Sequence, residues 1–172
     1  MFLTASDFVL VPYDLPSSTM PNSFQAYVDD KEKEVLIKVL GRELYLEFVE
    51  ALEEDYPDDK WIDLRDGADY LYCEKQYHWY GMRDMLKPYI VSNYDRDFYD
   101  NRSNNGLVVA TVENSKKISP ALRISREWIK FYKHVGNDCE QIDNLYGFLN
   151  ANKTVYSAWR FTDPCKMNAF GL

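Results

Sequence analysis

Histidine, cysteine and long apolar runs are the scarce features of this chain. Only two histidines occur in 172 residues, His78 and His134; both sit among aromatic neighbours and neither belongs to an HxxxH or HExxH arrangement, so a structural role is expected for each. Three cysteines, Cys73, Cys139 and Cys165, are an odd number, lie far apart and form no CxxC pair. That spacing suggests neither a disulfide framework nor a zinc site, and buried free thiols are the expectation. No window approaches the roughly 18 uninterrupted apolar residues of a spanning helix. The opening MFLTASDFVLVPYDLP has neither a basic start nor a small-residue cleavage site, so a secretory leader is not expected and the chain reads as cytosolic. GxSxG, GxxxxGK[ST] and GxGxxG are all missing, which leaves the motif routes to a hydrolase, a nucleotidase or a dinucleotide enzyme empty.

What is present is a globular composition, 46% apolar, 16% aromatic and 28% charged, suited to one soluble domain with a single core. The net charge of -8 argues against a general nucleic-acid binder, because affinity for a phosphate backbone comes from clustered Lys and Arg displacing counterions. The charge is unevenly spread. Residues 1–86 hold 19 acids against 8 bases, whereas residues 87–172 hold 9 against 12, so one half is strongly acidic and the other mildly basic.

Along the chain, Pro12, Pro16 and Pro21 with Ser17, Ser18 and Thr19 interrupt helices, and residues 1–21 read as an extended N-terminal arm. Residues 22–152 read as a helical core domain. Its first helix carries Phe24, Val28, Val35 and Val39 at helical spacing, capped by Asn22 or Ser23. The series Leu36, Leu40, Leu44, Phe48, Leu52 runs through Gly41, which favours one long kinked helix over two helices and a turn. It ends in EEDYPDDK, whose acids around Pro57 form either a solvated turn or a cation-binding or partner-facing patch. Residues 61–80 are aromatic, with Gly67 as a breaker and an alternation of Tyr70 and Tyr72 against Leu71 and Cys73; they predict a small hairpin turning at Glu74, Lys75 and Gln76.

After Gly81, a helix is marked by Met82, Met85, Leu86, Tyr89, Ile90, Tyr94 and Phe98, with Pro88 removing one donor. Residues 101–118 read as a mobile loop. Ser119 and Pro120 form a cap and first-turn pair for a helix with the stripe Ala121, Ile124, Trp128, Phe131, Val135, closed by Gly136. Asn137 and Glu140 have capping-box spacing ahead of a last helix of about a dozen residues. Residues 153–172 read as a C-terminal docking tail, seated on its own domain or on a neighbouring chain, since Trp159, Phe161 and Phe170 are costly to leave in water.

Two constellations bear on chemistry. Asp95, Asp97 and Asp100 in YDRDFYDN resemble a metal-binding run, but Phe98 and Tyr99 break the alternation of oxygen ligands an EF-hand loop needs, and acids near a helix end facing water are the simpler reading. Arg123, Arg126, Lys130 and Lys133 are spaced 3, 4 and 3 apart, which puts them on one face of the fourth expected helix. That face is either a solvated basic surface or one that meets something negative, such as the acidic half of an identical chain or a nucleic-acid backbone. Four charges are too few to hold DNA from one subunit, but repeated around a ring they add up.

The run EVLIKVLGRELYLEFVEAL, then Trp61 and Gly67, then WYGMRDMLKPYI and the closing NAFGL resemble small structural proteins of Bacteroidetes phages and prophages. In size and helical layout these are similar to the head-to-tail connector, or adaptor, family of long-tailed phages. The resemblance spans roughly residues 24–172 and contains no residue of reaction chemistry. It implies a mainly α, single-domain protomer of four or five helices with a small β-hairpin and an extended arm. It also implies a non-enzymatic virion protein without cofactor or metal, assembled in the bacterial cytoplasm into an oligomeric ring between portal and tail.

The partners then expected are further copies of the chain, portal and tail proteins, and DNA passing without sequence-specific contact, with no membrane. The interface residues expected are Arg123, Arg126, Lys130, Lys133, Trp159, Phe161 and Phe170. Alternatives within the same particle are a head-completion or tail-terminator protein. From other classes, the rivals are a small hydrolase or metal-dependent enzyme using Asp95, Asp97 and Asp100, and an acidic host-interaction protein that mimics DNA.

Overall fold

The computed structural model describes residues 2–9, 23–104, 120–136 and 143–160. The chain is a single, mainly helical domain with one two-stranded antiparallel hairpin. Among the described residues there are six α-helices, one or two more than the sequence pattern predicts, and one short 3-10 helix at Ala5–Phe8. Among them, none of the helices is long and apolar enough to cross a membrane.

α1 (Phe24–Leu40) buries Phe24, Val28, Val35, Leu36, Val39 and Leu40, the stripe its spacing predicts. The long kinked helix does not form. Gly41 takes φ 79 and ψ 158, a region open essentially to glycine alone, and α2 (Arg42–Leu52) starts again beyond it. The break uses a single residue, so Leu44 and Phe48 still reach the same core as Leu36 and Leu40.

Residues 61–66 differ from expectation, because α3 (Asp59–Asp66) is a helix that buries Trp61 and Leu64. β1 (Ala68–Tyr72) then pairs antiparallel with β2 (Lys75–Trp79), Tyr70 opposite Tyr77. The turn is Cys73–Glu74, one residue earlier than predicted, and both residues have positive φ, 49 and 63. Two positive φ values in a two-residue loop match the twist of the strands, but the left-handed region is one that Asn and Gly adopt more readily than Cys or Glu. Cys73 is an exposed free thiol here, not a buried one; Cys139 and Cys165 lie outside the described residues.

α4 (Met82–Asn104) is the central helix. From Pro88 to Tyr94 every residue is buried, and α1, α3 and α5 pack around it. It includes residues 101–104, which are helical and not part of a loop as expected; residues 105–118 and the side chain of Phe98 are outside the described set. α5 (Pro120–Val135) begins at the predicted proline and ends at Gly136, whose φ is 80. Phe131 and Val135 are buried, Ile124 and Trp128 half-buried, and Ala121 exposed. α6 (Leu145–Ala151) is shorter than the expected dozen residues. Its cap is Asn144, whose side chain accepts from Gly147 N at 2.8 Å; the predicted capping pair Asn137 and Glu140 lies outside the described residues.

Both ends of the described chain dock on this core. Residues 2–9 of the expected arm are not free: Leu3 and Phe8 are buried, and Phe8 meets Phe24 edge-on at 5.6 Å. The tie is polar as well. Glu32, only 2% exposed on α1, accepts from the backbone N–H groups of Phe2 at 2.9 Å and Leu3 at 3.2 Å. Gln25 accepts from Ala5 N at 2.7 Å, and Arg83 reaches Asp7 at 2.7 Å. A charged group placed in the interior without such donors would be costly, so the two amide groups explain how Glu32 is tolerated there.

Candidate interaction surfaces

The expected interface residues separate into distinct groups in the fold. Trp159 is not at a surface: it is 6% exposed, its indole N–H donates to Val39 O at 3.3 Å, and its ring meets Tyr146 at 5.6 Å. Its neighbour Tyr156 is tied by its hydroxyl to Lys60 O and by its ring to Trp61 at 6.0 Å. The beginning of the predicted docking tail therefore docks on its own domain, because burying these rings here removes them from water without a second chain. Phe161 and Phe170 lie outside the described residues.

The four cations of α5 also differ from one another. A helix advances about 100° per residue, so the stripe spans a wide arc, and its two edges meet different neighbours. Arg123 is directed at α4, where it pairs with Asp95 at 2.8 Å. Lys130 holds both oxygens of Glu127 at 2.8 and 3.0 Å, and Glu127 itself is only 3% exposed. Sequence spacing alone does not mark Glu127 as a member of this face, because it does not say which acid lies under two bases. Arg126 contacts Glu127 at 3.3 Å while its side chain stays 55% exposed, and Lys133 faces solvent.

Arg126 and Lys130, two members of one basic stripe in the sequence, are therefore not equivalent in the fold. Reversing Lys130 removes the counter-charge of a buried carboxylate and puts a like charge beside it. Lys130→Glu is expected to cost about 2 kcal/mol, less than a fully buried pair because Lys130 is partly in water, whereas Arg126→Glu is expected to cost under about 1 kcal/mol. Urea titration of the two variants checks this; equal midpoints would contradict the assigned geometry.

The aspartates of the metal-like run are likewise engaged in ties between helices. Asp95 holds Arg123, and Asp97 accepts from the Tyr27 hydroxyl at 2.9 Å and lies 3.3 Å from Arg96. The side chain of Asp100 is outside the described set. Among the described residues, no group of three side chains of metal-binding type is gathered.

Near the same helix junction, Glu34 joins Lys31 at 3.0 Å, Lys38, and the Tyr89 hydroxyl at 3.2 Å. Burial pushes this carboxyl up, but the two ammonium groups outweigh burial and hold it at about 2 against an ordinary 4.5. A folded-state value below the unfolded one means stability that is present above pH 4.5 and is lost as pH falls towards 2. Allowing for solvent screening, about 1 kcal/mol is at stake. Glu34→Gln is expected to lower stability at neutral pH by about that much and to flatten the acid limb of a stability-against-pH curve; an unchanged limb would contradict the assignment.

One cleft of about 380 Å3 opens between the N-terminal segment, α1, α2 and α3, lined by Phe2, Glu32, Leu36, Tyr45, Val49 and Arg65. Its most buried polar group, the Glu32 carboxylate, already accepts the two backbone N–H groups of the N-terminal segment.

Among the outward surfaces, two bear on the uneven charge of the chain. The first is the turn between α2 and α3. Here Tyr56 is 91% exposed, and Glu53, Glu54, Asp55, Asp58 and Asp59 are all exposed around it. The second is the outer face of α5, where Leu122 at 66% and Ile129 at 51% exposed share an arc of about 60° with Arg126 and Lys133. The acidic turn was visible in the sequence as a run. The two apolar residues of α5 were not, because the buried stripe on the opposite side of the helix dominates its pattern.

The molecule is thus defined as a mainly helical domain with one hairpin. Comparison with known proteins finds no matching family model, curated protein or solved structure.

Proposed function

We propose that this protein is a non-enzymatic structural component of a phage particle, a head-to-tail connector that assembles as a ring of identical subunits between portal and tail. The observation that carries this reading is the pairing of unlike surfaces on one protomer: an acidic turn crowned by an exposed tyrosine, and a helix face combining two exposed aliphatic side chains with two cations. A ring is closed by a heterologous contact, in which one patch of a subunit meets a different patch of the next, and opposite charge gives such a contact its direction. The resemblance of residues 34–52 and 79–90 to phage structural proteins supports the same reading. The net charge of -8 suits a channel wall along which DNA slides without adhering.

The test is to mix the purified chain with the portal protein encoded by the same genome and image the mixture by electron cryomicroscopy. The expected result is a ring coaxial with the portal. Portal particles that stay bare at every ratio would overturn the proposal.

A further inference from the structure

Resting on the connector reading, we infer that the acidic turn at residues 53–59 of one subunit docks on the outer face of α5 of the next, with Tyr56 seated between Leu122 and Ile129. The occupant of the α5 face is thus a second copy of this chain.

Charge and shape carry the inference together. The turn presents five carboxylates, all exposed, on both sides of a tyrosine that has almost no contact with its own domain. The α5 face presents the complementary elements, aliphatic side chains and cations. Leu122, Arg126, Ile129 and Lys133 succeed one another at steps of 4, 3 and 4 residues, so aliphatic and cationic side chains alternate along one line. A tyrosine ring between the two aliphatic side chains leaves its hydroxyl free to face water or a polar neighbour, the arrangement that makes tyrosine frequent at interfaces.

Within the domain Arg123 is directed towards Asp95 and Lys130 towards Glu127; Arg126 also touches Glu127 at 3.3 Å but keeps its side chain 55% exposed, and Lys133 is exposed, so Arg126 and Lys133 are the cations most open to an incoming acid. The two patches belong to different elements, with α5 packing on α4 and α6 and the turn lying between α2 and α3. A contact between them that is made once per subunit pair, and not twice across a two-fold axis, is heterologous, as a closed ring requires.

The test uses the full chain and two surface variants, Tyr56→Ala and Ile129→Asp, each checked for wild-type melting. Each variant keeps one intact patch. Native mass spectrometry at low ionic strength is expected to show multimers for the wild type and at least tenfold weaker assembly for either variant alone. An equimolar mixture of the two is expected to give a 1:1 dimer that grows no further, because the turn of the Ile129 variant can still dock on the α5 face of the Tyr56 variant.

If the wild type assembles and the variants assemble equally well, or their mixture gives no 1:1 dimer, this contact is wrong while the ring reading stands. Lower melting of Ile129→Asp with unchanged assembly would mean that the face is covered by the same chain, which also overturns the contact. A wild type that is monomeric at every concentration overturns the contact and removes the assembly it rests on.

Discussion

Trp79→Ala is expected to lower stability by about 3 to 5 kcal/mol, the range for deleting a fully buried large aromatic side chain. Trp79 ends β2, has no solvent exposure, lies nearly parallel to Phe148 of α6 at 6.3 Å and donates its indole N–H to Leu64 O of α3 at 2.9 Å. One side chain thus joins the hairpin, the third helix and the last helix. Its removal leaves a cavity where three elements meet, and strands a backbone carbonyl that α3 does not satisfy itself. Equilibrium urea unfolding, following the midpoint, measures the loss; a cost below about 1 kcal/mol would mean that the hairpin is an appendage and not part of the core.

A single methyl group at Gly81 is expected to be nearly as disruptive. Gly81 has φ 89, and a Cβ built there would sit 2.6 Å from Asp66 C, 2.7 Å from Asp66 O and 2.8 Å from Arg65 O. All three are backbone atoms, so no side chain can rotate away. Gly67, with φ 102, faces Trp79 O across the same junction. The C-terminal end of α3 and the entry to α4 therefore touch main chain to main chain.

Gly81→Ala combines backbone strain of about 1 to 3 kcal/mol with overpacking of similar size, giving an expected loss of about 3 to 4 kcal/mol. Gly41→Ala is the natural control. Gly41 also has positive φ, 79, but nothing lies within 4 Å of its added Cβ, so only the backbone part of the loss is expected. If the two variants unfold at the same denaturant concentration, close packing at Gly81 is not what requires glycine there.

The sequence was informative wherever one helix face was buried and the other was not. The stripe of α1 from Phe24 to Val39 follows from residue spacing, because a helix repeats its core face at fixed intervals, and the start and stop of α5 follow from Pro120 and Gly136; in α4 the stripe residues from Met82 to Tyr94 are buried as well, but from Pro88 onward so are the residues between them. Legibility failed where tertiary contacts decide. The Leu36 to Leu52 series continues through Gly41 because both helices pack on one core, so periodicity could not reveal that the backbone changes direction between them. α3 is only eight residues long and buries two of them, too few for a period to emerge among aromatics that equally suit strands.

Trp128 belongs to the predicted stripe but is only half-buried, packing on Tyr89 at 6.1 Å and Phe131 at 5.4 Å; Phe131, fully buried, fills the position that stripe assigned to it. The candidate site was legible in part. Arg126, Lys133 and the acidic run could be marked from charge alone, whereas the partners of Arg123 and Lys130 depend on how α5 lies over α4 and where Glu127 turns. For the N-terminal segment, proline content suggested an arm. The docking of residues 2–9 depends instead on Glu32, a residue that in sequence resembles any other surface acid.

Whether the chain is made to meet copies of itself is the central question, and sedimentation velocity over a concentration series, at low and at high salt, addresses it most directly. The account predicts a monomer of 20.3 kDa that passes cooperatively to one closed multimer as concentration rises, with the transition moving to higher concentration when salt screens the acidic turn from the α5 face. A single monomeric boundary through the whole series, indifferent to salt, would contradict it.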